Sequence, residues 1–111
     1  MTPEEFKLRT KQFALRILRL ADSLPRTTSG RTLAGQIADS GTSVAANYRA
    51  ACKARSRKEF ISKLGIAEEE ADETQFWLEM IMESDRIKGG RLAPLHQKSC
   101  EITAMLAASR K

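Results

Sequence analysis

The residues able to do chemistry are two cysteines, Cys52 and Cys100, a single histidine, His96, and the acidic run Glu68-Glu69-Glu70-Ala71-Asp72-Glu73. A di-metal carboxylate centre in a helical bundle needs Glu-x-x-His pairs from two helices plus two more inward glutamates. His96 has no glutamate at that offset, and Glu70 with Glu73, spaced i, i+3, has no imidazole to complete it. No metal site and no cofactor is expected, and His96 reads as a solvated helical histidine. Neither cysteine has a recognisable base and orienting group beside it in sequence, which argues against nucleophilic catalysis. The chain lacks G-x-S-x-G, H-E-x-x-H and a phosphate-cradling glycine loop. Five carboxylates in six positions must point around a helix, so the acidic run reads as a solvated or salt-bridged face. The expectation is a protein that is not an enzyme.

A different constellation is basic: Arg49, Lys53, Arg55, Arg57 and Lys58 crowd one short stretch. The net charge is +5, distributed as +6 over residues 1–55, −4 over residues 56–88 and +3 over residues 89–111. Such segments can pair with one another, and a basic excess suits a polyanion. Four Phe, one Tyr and one Trp are too few for a platform that stacks single-stranded bases. The contacts expected of the five cations are therefore with phosphates, on RNA or DNA, rather than with bases. The plain alternative is a charged tip that serves solubility.

These side chains have to be held by something, and the stretch Ser56 to Lys88 dominates the chain. Phe60, Leu64, Ala67, Ala71, Thr74, Leu78 and Ile81 recur at steps of four and three, one stripe of a helix. Ser56 and Glu59 form an S-x-x-E box that marks its start. A helix over 57–88 would be roughly 50 Å long and needs partners of comparable length.

Three more segments supply them. Helix one, about 3–24, opens with Thr2, Pro3 and Glu5 and carries Phe6, Thr10, Phe13, Ile17, Leu20 and Leu24. Pro25 to Gly30 is loop, with Thr28 or Ser29 as the cap of the second helix. Helix two, about 31–54, carries Leu33, Ile37, Ser40, Val44, Tyr48 and Ala51, flanked by a track of small residues. Gly35 and Gly41 in it each cost about 1 kcal/mol relative to alanine, so a close helix–helix approach is the expected compensation. Helix four, about 93–109, comes after the stop Gly89-Gly90 and carries Leu95, Ser99, Ile102 and Leu106. With short links throughout, the fold class is all-α, an up-down-up-down antiparallel four-helix bundle in one domain, 1–111.

Some apolar residues do not fit one seam. Leu8 and Leu15 face roughly 200° away from Phe13 and hint at a second buried surface, between subunits. Phe76, Trp77 and Met80 join them as candidate oligomer contacts, with Trp77 equally suited to core packing. Asn47 lies close to the core stripe, where its amide needs partners. No apolar run reaches about 18 residues, so no membrane span is expected, and the polar amino terminus is unlike a signal peptide. Two cysteines are no disulfide framework, and a reduced cytoplasmic protein is the expectation.

The run from Asn47 to Glu79 resembles the 23S rRNA-intervening-sequence proteins, or S23 proteins. The likeness rests on Asn47, Arg49, Ala50, Arg55, Ser56, Glu59, Phe60, Lys63, Leu64, Glu70, Ala71, Asp72, Glu73, Thr74, Trp77 and Leu78. Leu33, Gln36, Ser40, Ser43 and Val44 extend it, over about residues 6–108, while Phe76 stands where tyrosine is as common. The resemblance implies a four-helix bundle, a ring-shaped homopentamer and no established enzymatic activity. A related protein, the accessory variability protein of diversity-generating retroelements, implies a nucleic acid or a reverse transcriptase as partner.

Overall fold

Thr2 starts the first helix as the sequence predicts. Its hydroxyl oxygen accepts from the Glu5 N–H at 3.1 Å, and the Glu5 carboxylate accepts from the Thr2 N–H at 3.3 Å. The Thr2 hydroxyl and then the Thr2 N–H, both donating to Glu5, hold its carboxyl below the ordinary value. The structure is a computed structural model that describes residues 1–84 and 92–111. Helix α1 runs Pro3–Ser23, and Leu24 ends it in extended backbone just before Pro25.

Helix α2 runs Thr28–Cys52 and begins earlier than position 31. Its cap is Thr27, not Thr28 or Ser29: the Thr27 hydroxyl oxygen accepts from the Gly30 N–H at 3.1 Å. The early start depends on Gly30, because a Cβ there would stand 1.9 Å from the Pro25 carbonyl oxygen. Its final residue is Cys52 rather than Ala54; the Lys53 and Ala54 N–H groups donate to the Ala50 and Ala51 carbonyls at 3.1 and 3.0 Å and tighten its last turn, and residues 54–56 lead into the next helix. Helix α3 runs Arg57–Glu83, with the Ser56 hydroxyl oxygen accepting from the Glu59 N–H at 3.1 Å. At 27 residues it is roughly 40 Å long. The expected last turn, 85–88, and the expected stop at Gly89-Gly90 lie outside the described residues. Helix α4 runs Ala93–Ser109.

The four helices stand up-down-up-down, and no strand occurs among the described residues. Helix α2 packs along both α1 and α3; α4 lies chiefly against α3 and meets α1 only briefly. The predicted stripes face the axis. Ile17, Ile37, Val44, Leu64, Ala67, Ala71, Leu78, Ile81, Ile102 and Leu106 are fully buried. Phe60 alone among the α3 stripe is half-buried, since it sits in the first turn at the bundle's end. Two of the four buried polar residues of the seam meet each other, while Thr10 and Ser99 bond to carbonyls of their own helices. The buried Thr74 hydroxyl donates to Ser40 Oγ at 2.9 Å, and Ser40 donates to the Ile37 carbonyl at 3.4 Å, linking α3 to α2. Asn47 is half-buried and donates to the Ser43 carbonyl at 2.9 Å, within its own helix.

The small-residue track has one close contact. A Cβ on Gly41 would meet Ile17 Cγ2 at 2.7 Å, so α1 and α2 approach closely there. A Cβ on Gly35 would have nothing within 4 Å, which corrects the expectation that close packing compensates for that glycine. The antiparallel order brings the start of α1, the end of α2, the start of α3 and the end of α4 to one end of the bundle. It is at this end that the basic stretch sits.

Candidate functional site

The five predicted cations are all exposed, and two of them line a groove that the other three do not. Arg49 and Lys53, one helical turn apart on α2, turn toward α1 and line a groove of about 510 Å³. Helix α1 contributes Glu4, Lys7, Leu8 and Lys11 to the same groove. Lys7 is held by Glu4 at 3.0 Å. Among the described residues, Lys11, Arg49 and Lys53 form no ion pair, so the groove carries an uncompensated positive charge. Lys7 and Lys11 escape a reading by sequence proximity because they come from a different helix. Their i, i+4 spacing on either side of Leu8 is the signal that could have found them.

Arg57 goes elsewhere. It donates to the Lys111 carbonyl at 3.3 Å and borders a second pocket, about 770 Å³, at the bundle's end. Phe6 and Tyr48 meet there edge to face, ring centroids 4.6 Å apart. Burial of the Tyr48 phenol, helped by neighbouring Cys52, pushes its pKa up to about 12. Arg55 lies exposed in the connection between α2 and α3, and Lys58 lies exposed in the first turn of α3.

The candidate oligomer contacts lie on the outer faces. Leu8, Leu15, Phe76 and Met80 are 56%, 45%, 50% and 43% exposed, and Leu18 and Ile66 add to them. Trp77 is half-buried against the core and meets Phe76 edge to face at 4.9 Å. The outer apolar residues of α1 adjoin the basic groove through Leu8.

The acidic run is a surface face with two distinct members. Glu68 pairs with Arg110 at 2.6 Å. Glu70 has its pKa raised, first by burial and then by the neighbouring carboxylates of Glu73, Glu69 and Asp39. No group of three or more potential ligands among the described residues can hold a metal ion.

His96 is not the solvated side chain that the sequence suggests. Its Nε2 lies 2.9 Å from a Glu79 carboxylate oxygen, and its Nδ1 lies 3.9 Å from Cys100 Sγ. Cys100 therefore has a base beside it and that base has an orienting group, contrary to the expectation from sequence. The His96–Cys100 half of this was legible as an i, i+4 pair on one helix face. Glu79 comes from α3 and was not.

The sequence profile of the 23S rRNA-intervening sequence proteins matches residues 5–108. The fold is similar to the crystal structure of a protein with unknown function from the S23 ribosomal protein family of Bacteroides thetaiotaomicron VPI-5482. The two share 37% sequence identity and a TM-score of 0.89, over 96% of this chain and 98% of that one. No curated protein matches the chain.

Proposed function

The chain belongs to the 23S rRNA-intervening sequence protein family, and we propose that it is a non-enzymatic, self-associating bundle that binds nucleic acid through phosphate contacts. The observation that carries this reading is the α1–α2 groove, where Lys11, Arg49 and Lys53 are exposed without a carboxylate partner among the described residues. Ammonium and guanidinium groups left unpaired along a groove favour a polyanion, with binding driven by release of its counterions. Arg55 and Lys58 extend the positive surface around the turn to α3. Arg57 serves the end pocket more than this surface.

Self-association is supported by the outer apolar residues, Leu8 and Leu15 on α1 and Phe76 and Met80 on α3. A second copy that covers them would remove them from water, with Trp77 at the margin of the contact. A closed ring, a pentamer, repeats the basic groove around its rim and multiplies weak phosphate contacts into useful affinity. A reverse transcriptase or another nucleic-acid enzyme would be recruited to the same bound strand. No helix among the described residues is long and apolar enough to cross a membrane. Two free cysteines accord with a reducing, cytoplasmic setting.

Fluorescence anisotropy with labelled RNA and DNA tests the proposal. With three phosphate contacts per protomer, affinity should fall roughly tenfold or more between 50 and 200 mM salt. The triple variant K11E/R49E/K53E should abolish binding and keep its helical content. An equal, weak signal at both salt concentrations overturns the reading. In that event a scaffold that binds only proteins is the better account.

A further inference from the structure

The Glu79–His96–Cys100 arrangement has no part in phosphate binding. It joins α3 to α4, away from the α1–α2 groove. The two contacts of the imidazole fix its chemistry. A carboxylate can only accept, so the Nε2 that faces Glu79 at 2.9 Å carries the proton. In the neutral ring, Nδ1 then presents its lone pair, and this is the nitrogen 3.9 Å from Cys100 Sγ. The two ring nitrogens point to opposite sides, so one metal ion cannot be held by all three residues. What the order does match is a nucleophile, its base, and a group that orients the base.

Access is partial, which suits a small reagent. The His96 side chain is 28% exposed, that of Glu79 49%, and Cys100 is half-buried. Leu95 and Ser99, also on α4, are buried in the seam and anchor the helix turn that carries both His96 and Cys100. The Ser99 hydroxyl donates to the His96 carbonyl at 2.7 Å.

We propose that Glu79, His96 and Cys100 form a thiol-activating relay that makes Cys100 a site of oxidation by small hydroperoxides. His96 Nδ1 takes the proton from Sγ, and the sulfur attacks the peroxide oxygen that bears hydrogen. An S–O bond forms as the O–O bond breaks. The departing hydroxide or alkoxide takes the proton back from His96 and leaves as water or alcohol. Sulfur is oxidised to the sulfenic acid, the peroxide is reduced, and the base is regenerated.

Cys52 is the internal reference. It is more exposed than Cys100, and its neighbour is the Tyr48 phenol rather than an imidazole. The experiment treats the full chain with hydrogen peroxide, traps sulfenic acid with dimedone and follows each cysteine by peptide mass spectrometry. Cys100 should be trapped roughly tenfold faster than Cys52, despite its lower exposure. His96→Asn should bring Cys100 to or below the rate of Cys52 and leave Cys52 unchanged, with Glu79→Gln falling between. If His96→Asn loosens the fold, both cysteines will speed up together, and the wild-type ratio with Glu79→Gln decides. Cys100 reacting no faster than Cys52 in the wild type, or keeping its rate in Glu79→Gln and His96→Asn, overturns the proposal.

Discussion

Helix α1 carries two sets of apolar side chains that face opposite ways. Phe13 and Ile17 are 2% and 0% exposed; Leu8 and Leu15, on the same helix, are 56% and 45% exposed. Both pairs are bulky, and both recur at helical spacing. Apolar content therefore does not decide which stripe is the seam. The inner stripe is the longer one, and it meets stripes of matching length on its neighbours. The outer stripe is shorter, broken by Lys11 and Asp22, and has solvent opposite it in the single protomer. A side chain's contribution to stability depends on what stands across from it.

The largest test of this contrast is a pair of truncations. Ile17→Ala removes a fully buried branched side chain and should cost about 2–5 kcal/mol, because the helices around it cannot collapse fully into the void. Leu15→Ala should change protomer stability by less than about 0.5 kcal/mol, as for an exposed site. Urea unfolding measures both. If Leu15→Ala costs as much as a core truncation, and the cost grows with protein concentration, the outer stripe is covered by another copy. The contrast then holds for the protomer and fails for the assembly.

How far the sequence reveals the molecule obeys the same division. The seam is readable because period and burial are one constraint, repeated on every helix from Phe6 to Leu106. The Thr2–Glu5 box is readable because both partners lie within one turn. The start of α2 is less so: three hydroxyl residues in a row, Thr27 to Ser29, offer caps, and only the approach of Gly30 to the Pro25 carbonyl selects the first. Sites made by two elements are the least legible. The groove needs Lys11 from α1 beside Arg49 and Lys53 from α2, and the relay needs Glu79 from α3 beside His96 from α4. Sequence spacing can mark the residues that each helix contributes and says nothing of which helix stands beside which.

Two glycines on α2 sharpen the comparison at smaller scale. Gly41 faces the seam, where an added methyl would stand 2.7 Å from Ile17 Cγ2, on a fully buried side chain that is branched at Cβ and cannot swing aside. Gly41→Ala should destabilise by about 1–3 kcal/mol through overpacking. Gly35 is exposed, with nothing near an added methyl. Gly35→Ala should stabilise by up to about 1 kcal/mol, from helix propensity alone. Thermal unfolding of the two variants gives opposite shifts in Tm. Shifts of the same sign would mean that propensity, not the partner across the seam, governs both positions.

The smallest effect lies at the border between seam and surface. Glu70 is half-buried one turn before Thr74, with its pKa raised by burial and then by Glu73, Glu69 and Asp39. A carboxyl whose pKa is higher in the folded chain than in the unfolded chain holds its proton more tightly when folded. Stability linked to it is therefore full below the unfolded value and declines as pH rises through the folded one. At neutral pH the ionised Glu70 is a net cost, comparable to other like-charge neighbours on a helix. Glu70→Gln removes the charge and keeps the shape, so it should stabilise by about 0.2–0.5 kcal/mol at neutral pH. At about pH 3.5 the wild-type carboxyl is itself protonated, and the gain should vanish. A gain that persists at acid pH would assign the effect to packing of the amide, and a loss at neutral pH would mean that the carboxylate is engaged by a cation on another copy.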